Sequence, residues 1–263
     1  MCLAVFALAA HPRFALVIAA NRDEFHARPT APAAWWDEGW VAGRDLAAGG
    51  TWLGVTRAGR WALLTNVREP SRHDPAAPSR GRIVTDFLAD RAPAAAALAA
   101  AVAGARHNGF NLVGGEAGTA HWGSNRAALS HPLRAGTHGL SNHLLDTPWP
   151  KVERTKAALA DWCARGGDGD DDASPFAPLF ALLADTRPAP DADLPATGVP
   201  LDRERMLSAP FIVSPTYGTR ASTVVAIGHD GTVDFIERSF DAAGRATGDA
   251  VHRFRLREEQ GRT

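Results

Sequence analysis

Residues 1–25 read MCLAVFALAAHPRFALVIAANRDEF. Two apolar runs, residues 3–9 and 14–20, carry Val, Ile and Phe and flank a break that contains His11 and Pro12. Short apolar runs of this kind, separated by a proline-bearing turn, predict a β-hairpin whose strands are buried on both faces. Antiparallel pairing about that turn sets Cys2 opposite a residue between Asn21 and Asp23. The thiol and the polar cluster Asn21-Arg22-Asp23-Glu24 are therefore neighbours whatever the remaining fold. Alternation along an extended strand puts Arg22 and Glu24 on one face and Asn21 and Asp23 on the other.

Outward from this hairpin, residues 51–56 and 60–66 read as a second one, joined by Arg57-Ala58-Gly59 and ending on Asn66. Residues 81–104 have helical spacing (Ile83, Val84, Phe87, Leu88), and Pro93 divides them into two helices. Short strands are expected at 111–114 and 119–122, and a further one at 139–141 that leads into Asn142. A helix at 151–164 places Val152, Leu159 and Trp162 on one side, with Cys163 in its last turn. An acidic, glycine-rich loop (166–173), a short helix (175–184) and an irregular Pro- and Ala-rich stretch (186–200) follow. Strands return at 211–214, 223–227, 233–238 and 252–256. Strands early and late with helices between predict an α+β fold, layered around largely antiparallel sheets, in a single domain over residues 1–263.

A net charge of −1 gives no whole-chain attraction to nucleic acid or to an anionic membrane. Two cysteines, Cys2 and Cys163, cannot build a disulfide framework, which suits a reducing compartment. The apolar start lacks a basic n-region and is cut by His11-Pro12-Arg13, unlike a secretory signal, and no run of 18 apolar residues exists to span a membrane. These features predict a cytoplasmic protein. No cofactor or metal is expected. The ten histidines lack ligand spacing, and the Asp168, Asp170, Asp172 series has Ala173 and Leu179 where a calcium loop needs glycine and glutamate. Trp35, Trp36 and Trp40 form either an apolar lip or core, His138 and His143 flank the Asn142 segment, and Cys163 beside Trp162 reads as core.

Cys2 reads either as a small buried hydrophobe, the usual place of a free cysteine, or as the residue that carries the chemistry. An initiator methionine is normally removed before a small residue, and the mature chain then begins with a thiol and an α-amine on one residue. Both titrate near pH 8, so a nucleophile and its base sit together. A neighbouring Arg22 favours the thiolate.

The opening MC and the segments NRDEF, TNVRE and GTRASTVV resemble the NRDE family across essentially the whole chain. That family, whose eukaryotic members are called transport-and-Golgi-organisation proteins, is in turn similar to cysteine N-terminal-nucleophile hydrolases of the choloylglycine hydrolase and penicillin V acylase type. The resemblance implies a four-layer αββα sandwich of two antiparallel sheets between helices. It also implies Cys2 as nucleophile, Arg22 as its electrostatic partner, Asp23 or Glu24 as the site acid, Asn66 at the oxyanion hole, Asn142 near the α-amine and Arg220 closing the network. Asn21 is a further candidate. The adjacency of Arg22 and Asp23 departs from the hydrolase pattern, in which two residues separate them. Two functions follow from the resemblance: hydrolysis of a small-molecule amide or thioester through an acyl-Cys2 intermediate, or non-catalytic carriage of a ligand such as haem or lipid.

Overall fold

In the computed structural model, which describes residues 2–103, 106–116, 118–127, 130–166 and 174–257, the first hairpin forms as its apolar runs predict. Strand β1 (Cys2–Leu8) pairs antiparallel with β2 (Phe14–Phe25), from Leu8 opposite Leu16 at the turn to Cys2 opposite Arg22 at the far end. Every β1 residue after Cys2 is buried, as expected for a strand covered on both faces.

The chain continues through β3 (Thr30–Trp35), β4 (Trp40–Asp45), β5 (Leu53–Thr56) and β6 (Arg60–Asn66), then helices α1 (Gly81–Ala89) and α2 (Ala94–Ala103). Strands β7 (Phe110–Glu116), β8 (His121–Ser124), β9 (His131–Pro132) and β10 (Gly136–Leu140) precede helices α3 (Pro150–Ala164), α4 (Ala177–Leu183) and α5 (Leu201–Leu207). Strands β11 (Tyr217–Gly228), β12 (Thr232–Phe240) and β13 (Ala246–Arg255) complete it. One sheet has the order β10-β1-β2-β11-β12-β13 and the other runs β3 to β9 in sequence, both antiparallel.

Strand alternation sorts the apolar residues into three layers of contact. Ala4, Phe6, Leu16 and Ile18 meet Leu53, Trp61 and Val113 between the sheets. Val5, Val17 and Ala19 on the opposite face pack against Leu159, Trp162 and Cys163 of α3 and Leu179 and Leu183 of α4. Ala62, Leu64 and Leu112 of the second sheet cover Val84 and Phe87 of α1 and Leu98 of α2. The result is helix, sheet, sheet, helix, the αββα arrangement expected.

Some elements differ from the expectation. Strand β3 carries Pro32 and three alanines, a weak strand signal, and exists because it is a sheet edge, where a missing N–H costs no ladder bond. Neither β4 nor α5 was anticipated. Residues 211–214 are not a strand: Ile212 exchanges bonds only with Thr219, its N–H donating to Oγ1 and its carbonyl accepting from the Thr219 N–H. The acidic loop expected at 166–173 lies outside the described residues apart from Gly166. Trp40 is core, packed with Ala42 and Phe87, and Trp35 and Trp36 pack against Phe254 and Trp40, so the three form no lip.

The start of α1 is pinned to the second sheet at Gly50. The Thr51 N–H donates to the Gly81 carbonyl, and a Cβ on Gly50 would stand 2.3 Å from the Gly81 carbonyl carbon. Backbone cannot yield as a flexible side chain does, so Gly50→Ala forces the β4–β5 connection and α1 apart. We expect a loss of about 1–3 kcal/mol, read as a lower urea midpoint with unchanged slope. An unaltered midpoint would show that the two segments are not held together.

Candidate active site

The floor of the cleft is the open end of the first hairpin. Strand β1 begins at Cys2 while β2 runs on to Phe25, so among the described residues those past Arg22 have a ladder partner only on the β11 side. Cys2 and Arg22 are cross-strand partners and share the face that looks between the sheets. Arg22 is 5% exposed; its guanidinium lies over the Trp52 ring, 4.6 Å from the centroid, and its Nη1 donates to Thr30 Oγ1 at 3.1 Å. Burial pushes the Cys2 thiol up and the Asp23 carboxylate adds to this, whereas Arg22 and the Asp23 backbone N–H favour the thiolate.

Asp23 takes the opposite face, towards α3. Its Oδ1 accepts from Thr219 Oγ1 at 2.7 Å. Burial raises its pKa against the pull of the Lys151 ammonium. Lys151 lies in the first turn of α3, where a cation opposes the helix dipole. It is 1% exposed, and its Nζ has no hydrogen-bond partner among the described residues. Burial lowers its pKa to about 8, with Asp23 the main opposing charge. Behind it, Arg68 and Glu204 form a buried ion pair at 2.5 Å.

A third strand end supplies Asn66. Its carbonyl accepts from Asn142 Nδ2 at 3.0 Å, and the adjacent Ser141 Oγ donates to the Cys2 carbonyl at 3.0 Å. The Ser141-Asn142 pair thus ties the backbone of Cys2, in the first sheet, to that of Asn66, in the second. Asn142 is fully buried, does not line the cleft, and acts through those it holds. The cleft itself, about 290 Å³, is walled by Cys2, Arg22, Asp23, Asn66 and Arg80, with Glu24 and Asp45 at its rim.

Strand β11 bulges opposite the motif: Thr219 pairs with Asp23 and Ala221 with Arg22, leaving Arg220 unpaired between them. Arg220 does not line the cleft. Its Nη1 donates to the carbonyls of Phe25, His26 and Arg28, each at 3.2 Å, and so holds the β2–β3 loop. That loop presents Arg28, which binds Asp45 at 2.7 Å. Asn21 also stands away from the cleft. Its Nδ2 donates to the Leu183 and Pro210 carbonyls at 2.8 and 2.9 Å and its Oδ1 accepts from Ser222 at 2.6 Å, fastening α4 to the sheet. Glu24 lines the cleft on the Arg22 face, its Oε1 accepting from the Phe25 N–H.

Sequence reading missed Trp52, Arg80, Ser141, Lys151 and Thr219. Only Lys151 leaves a trace, as a cation in the first turn of a helix beside the apolar Val152. His138 bonds Asp146 and His143 bonds Thr147, and neither lines the cleft. Among the described residues no cluster of His, Cys, Asp and Glu could hold a metal ion, and no helix is long and apolar enough to cross a membrane.

Comparison with solved structures finds the C2A mutant of a conjugated bile acid hydrolase from Clostridium perfringens similar in shape. The TM-score is 0.50 over 97% of this chain and 92% of that one, at 7% identity, which is a likeness of fold. By sequence, the Transport and Golgi organization protein 2 homolog of Bos taurus is 34% identical over 275 residues, 97% of this chain and 99% of that protein. The Homo sapiens homolog is 34% identical over 262 residues, covering 91% and 93%. The family described as Transport and Golgi organisation 2 matches residues 1–242, and the chain belongs to that family.

Proposed function

We propose that the protein is an N-terminal-nucleophile hydrolase that cleaves a small-molecule amide or thioester through an acyl-Cys2 intermediate. The observation that carries this reading is the placement of Cys2: a half-buried thiol on a cleft floor, paired across the ladder with Arg22 and bridged through Ser141-Asn142 to Asn66. Removal of Met1 leaves the α-amine on Cys2 at the start of β1. Asp23, one residue past the Cys2 partner, is the carboxylate available to that amine.

The amine takes the thiol proton, and the sulfur attacks the carbonyl carbon, forming an S–C bond and an oxyanion. The Asn66 carboxamide supports the oxyanion. Collapse breaks the C–N or C–S bond, and the leaving group departs with the proton held by the amine. Water, giving its proton back to the amine, then splits the thioester and restores Cys2. The carrier reading has less support, because a porphyrin or acyl chain asks for a predominantly apolar cavity, whereas Arg, Asp, Asn and Ser side chains wall this cleft.

Purified protein should already lack the mass of Met1, and treatment with a p-nitrophenyl ester should add one acyl group on Cys2 with release of p-nitrophenol. Cys2→Ala should gain none, and Asn66→Ala should acylate about 10²–10³-fold more slowly. Retained Met1 with no adduct on Cys2 would exclude the mechanism.

Arg22 favours the thiolate, so its loss must raise the thiol pKa. In Arg22→Gln the midpoint of the pH–rate profile for iodoacetamide modification of Cys2 should move to higher pH, while the plateau rate changes little. A midpoint that stays put would mean that Arg22 does not stabilise the thiolate.

A further inference from the structure

The cleft holds two guanidiniums without a carboxylate. Among the described residues Arg22 hydrogen-bonds only the Thr30 hydroxyl and lies on the Trp52 face, with the buried Glu237 carboxylate acting on it from beyond ion-pair distance, and Arg80 hydrogen-bonds only the Gly109 carbonyl, which accepts from its Nη1 at 3.0 Å. Of the other charges of the cleft, Asp74 is held among the described residues only by the Ala76 N–H, which donates to its Oδ1 at 2.8 Å, and the rest are committed. Arg28 takes Asp45; Asp23 faces Thr219 and Lys151. Glu24 accepts from the Phe25 N–H and stands 3.9 Å from Arg28. Glu69, which lines a neighbouring hollow together with Arg80, is gripped by Arg126 at 2.8 and 2.9 Å. Arg80 has no ion pair among the described residues, and Cys2, Glu24 and Glu69 act on it from farther away.

Arg80 is also fixed in place. It immediately precedes α1, whose first residue, Gly81, is held to Thr51 and crowded by Gly50. It stands where the cleft over Cys2 meets a second hollow of about 330 Å³, lined by Val67, Pro70 and Val199, with Asn66 shared between the two. A partly buried guanidinium with most of its donors unused costs solvation that a bound oxyanion would restore.

We propose that Arg80, with Arg22, forms an anion subsite beside Cys2, and that the acyl compound cleaved there carries a carboxylate or phosphate a few bonds from its scissile carbonyl. The substrate class rests on the hydrolase reading, while the subsite itself requires only the thiol. Such a subsite discriminates by charge: an anionic electrophile is concentrated at Cys2 and a neutral one of the same size is not.

Iodoacetate and iodoacetamide supply that pair, with alkylated Cys2 counted by peptide mass spectrometry. Cys163 is buried, its thiol pushed up to about 11 by burial, and it remains a silent internal reference. The iodoacetate-to-iodoacetamide rate ratio at Cys2 should exceed that of free cysteine by about tenfold at low salt. Arg80→Gln should return it towards the free-cysteine value and Arg80→Lys should keep most of it. Any change in thiol pKa cancels in the ratio. Inorganic phosphate or acetate should protect wild-type Cys2 from iodoacetamide, and which of them does so separates the phosphate from the carboxylate class. A wild-type ratio no higher than that of free cysteine, or one that Arg80→Gln leaves unchanged, overturns the subsite. Should Arg80→Gln fail to fold, absence of protection by both anions overturns it instead. Charge selectivity without any acyl-Cys2 would retain the subsite and remove the hydrolase; turnover without selectivity would do the reverse.

Discussion

The ladder step that sets Cys2 against Arg22 governs the rest of the molecule. It fixes which face of the first sheet carries the sulfur and which carries Asp23, because successive residues of a strand point to opposite sides. A slip of one residue would turn Arg22 and Cys2 towards the helices and drive Asn21 and Asp23 between the sheets. The apolar residues forbid this. Phe6, Leu16 and Ile18 fill the space between the sheets, while Val5, Val17 and Ala19 meet α3 and α4. Hydrophobic packing along the hairpin thus sets the geometry of polar groups at its end.

That division gives the site two electrostatic layers. On the cleft side, Arg22 lies flat on Trp52 with the thiol beside it. On the helix side, Asp23, Lys151, Arg68 and Glu204 form a buried set of two positive and two negative groups. Burial alone would neutralise Asp23 and Lys151, and each opposes that tendency in the other. The adjacency of Arg22 and Asp23 therefore divides two charges between two faces: the arginine lies beside the sulfur and the carboxylate lies towards Lys151.

The two sheets meet at the site through few bonds. Ser141 and Asn142 hold the carbonyls of Cys2 and Asn66, and Arg68 returns a backbone bond from its N–H to the Asn142 carbonyl at 2.7 Å. Arg220, in the bulge of β11, secures the loop between β2 and β3 rather than the cleft. Residues that resemblance places in one network thus divide into those that meet the cleft and those that set the backbone around it.

Much was legible in residues 1–25. The apolar runs, the turn between them and the approach of Cys2 to the Asn-Arg-Asp-Glu cluster are local properties, decided by periodicity and by a pairing that needs only one turn. Helices α1, α2 and α3 likewise announce themselves by spacing and by Pro93. The layered αββα arrangement was implied by family resemblance and follows physically from apolar residues on both strand faces. Only the tertiary structure assigned Arg80, Trp52 and Lys151 to the neighbourhood of the thiol, and withdrew Asn21, Asn142 and Arg220 from the cleft wall. Those placements depend on contacts between segments far apart in the chain, and no period or motif encodes which way a side chain at a strand end or helix start will face once two sheets close on each other.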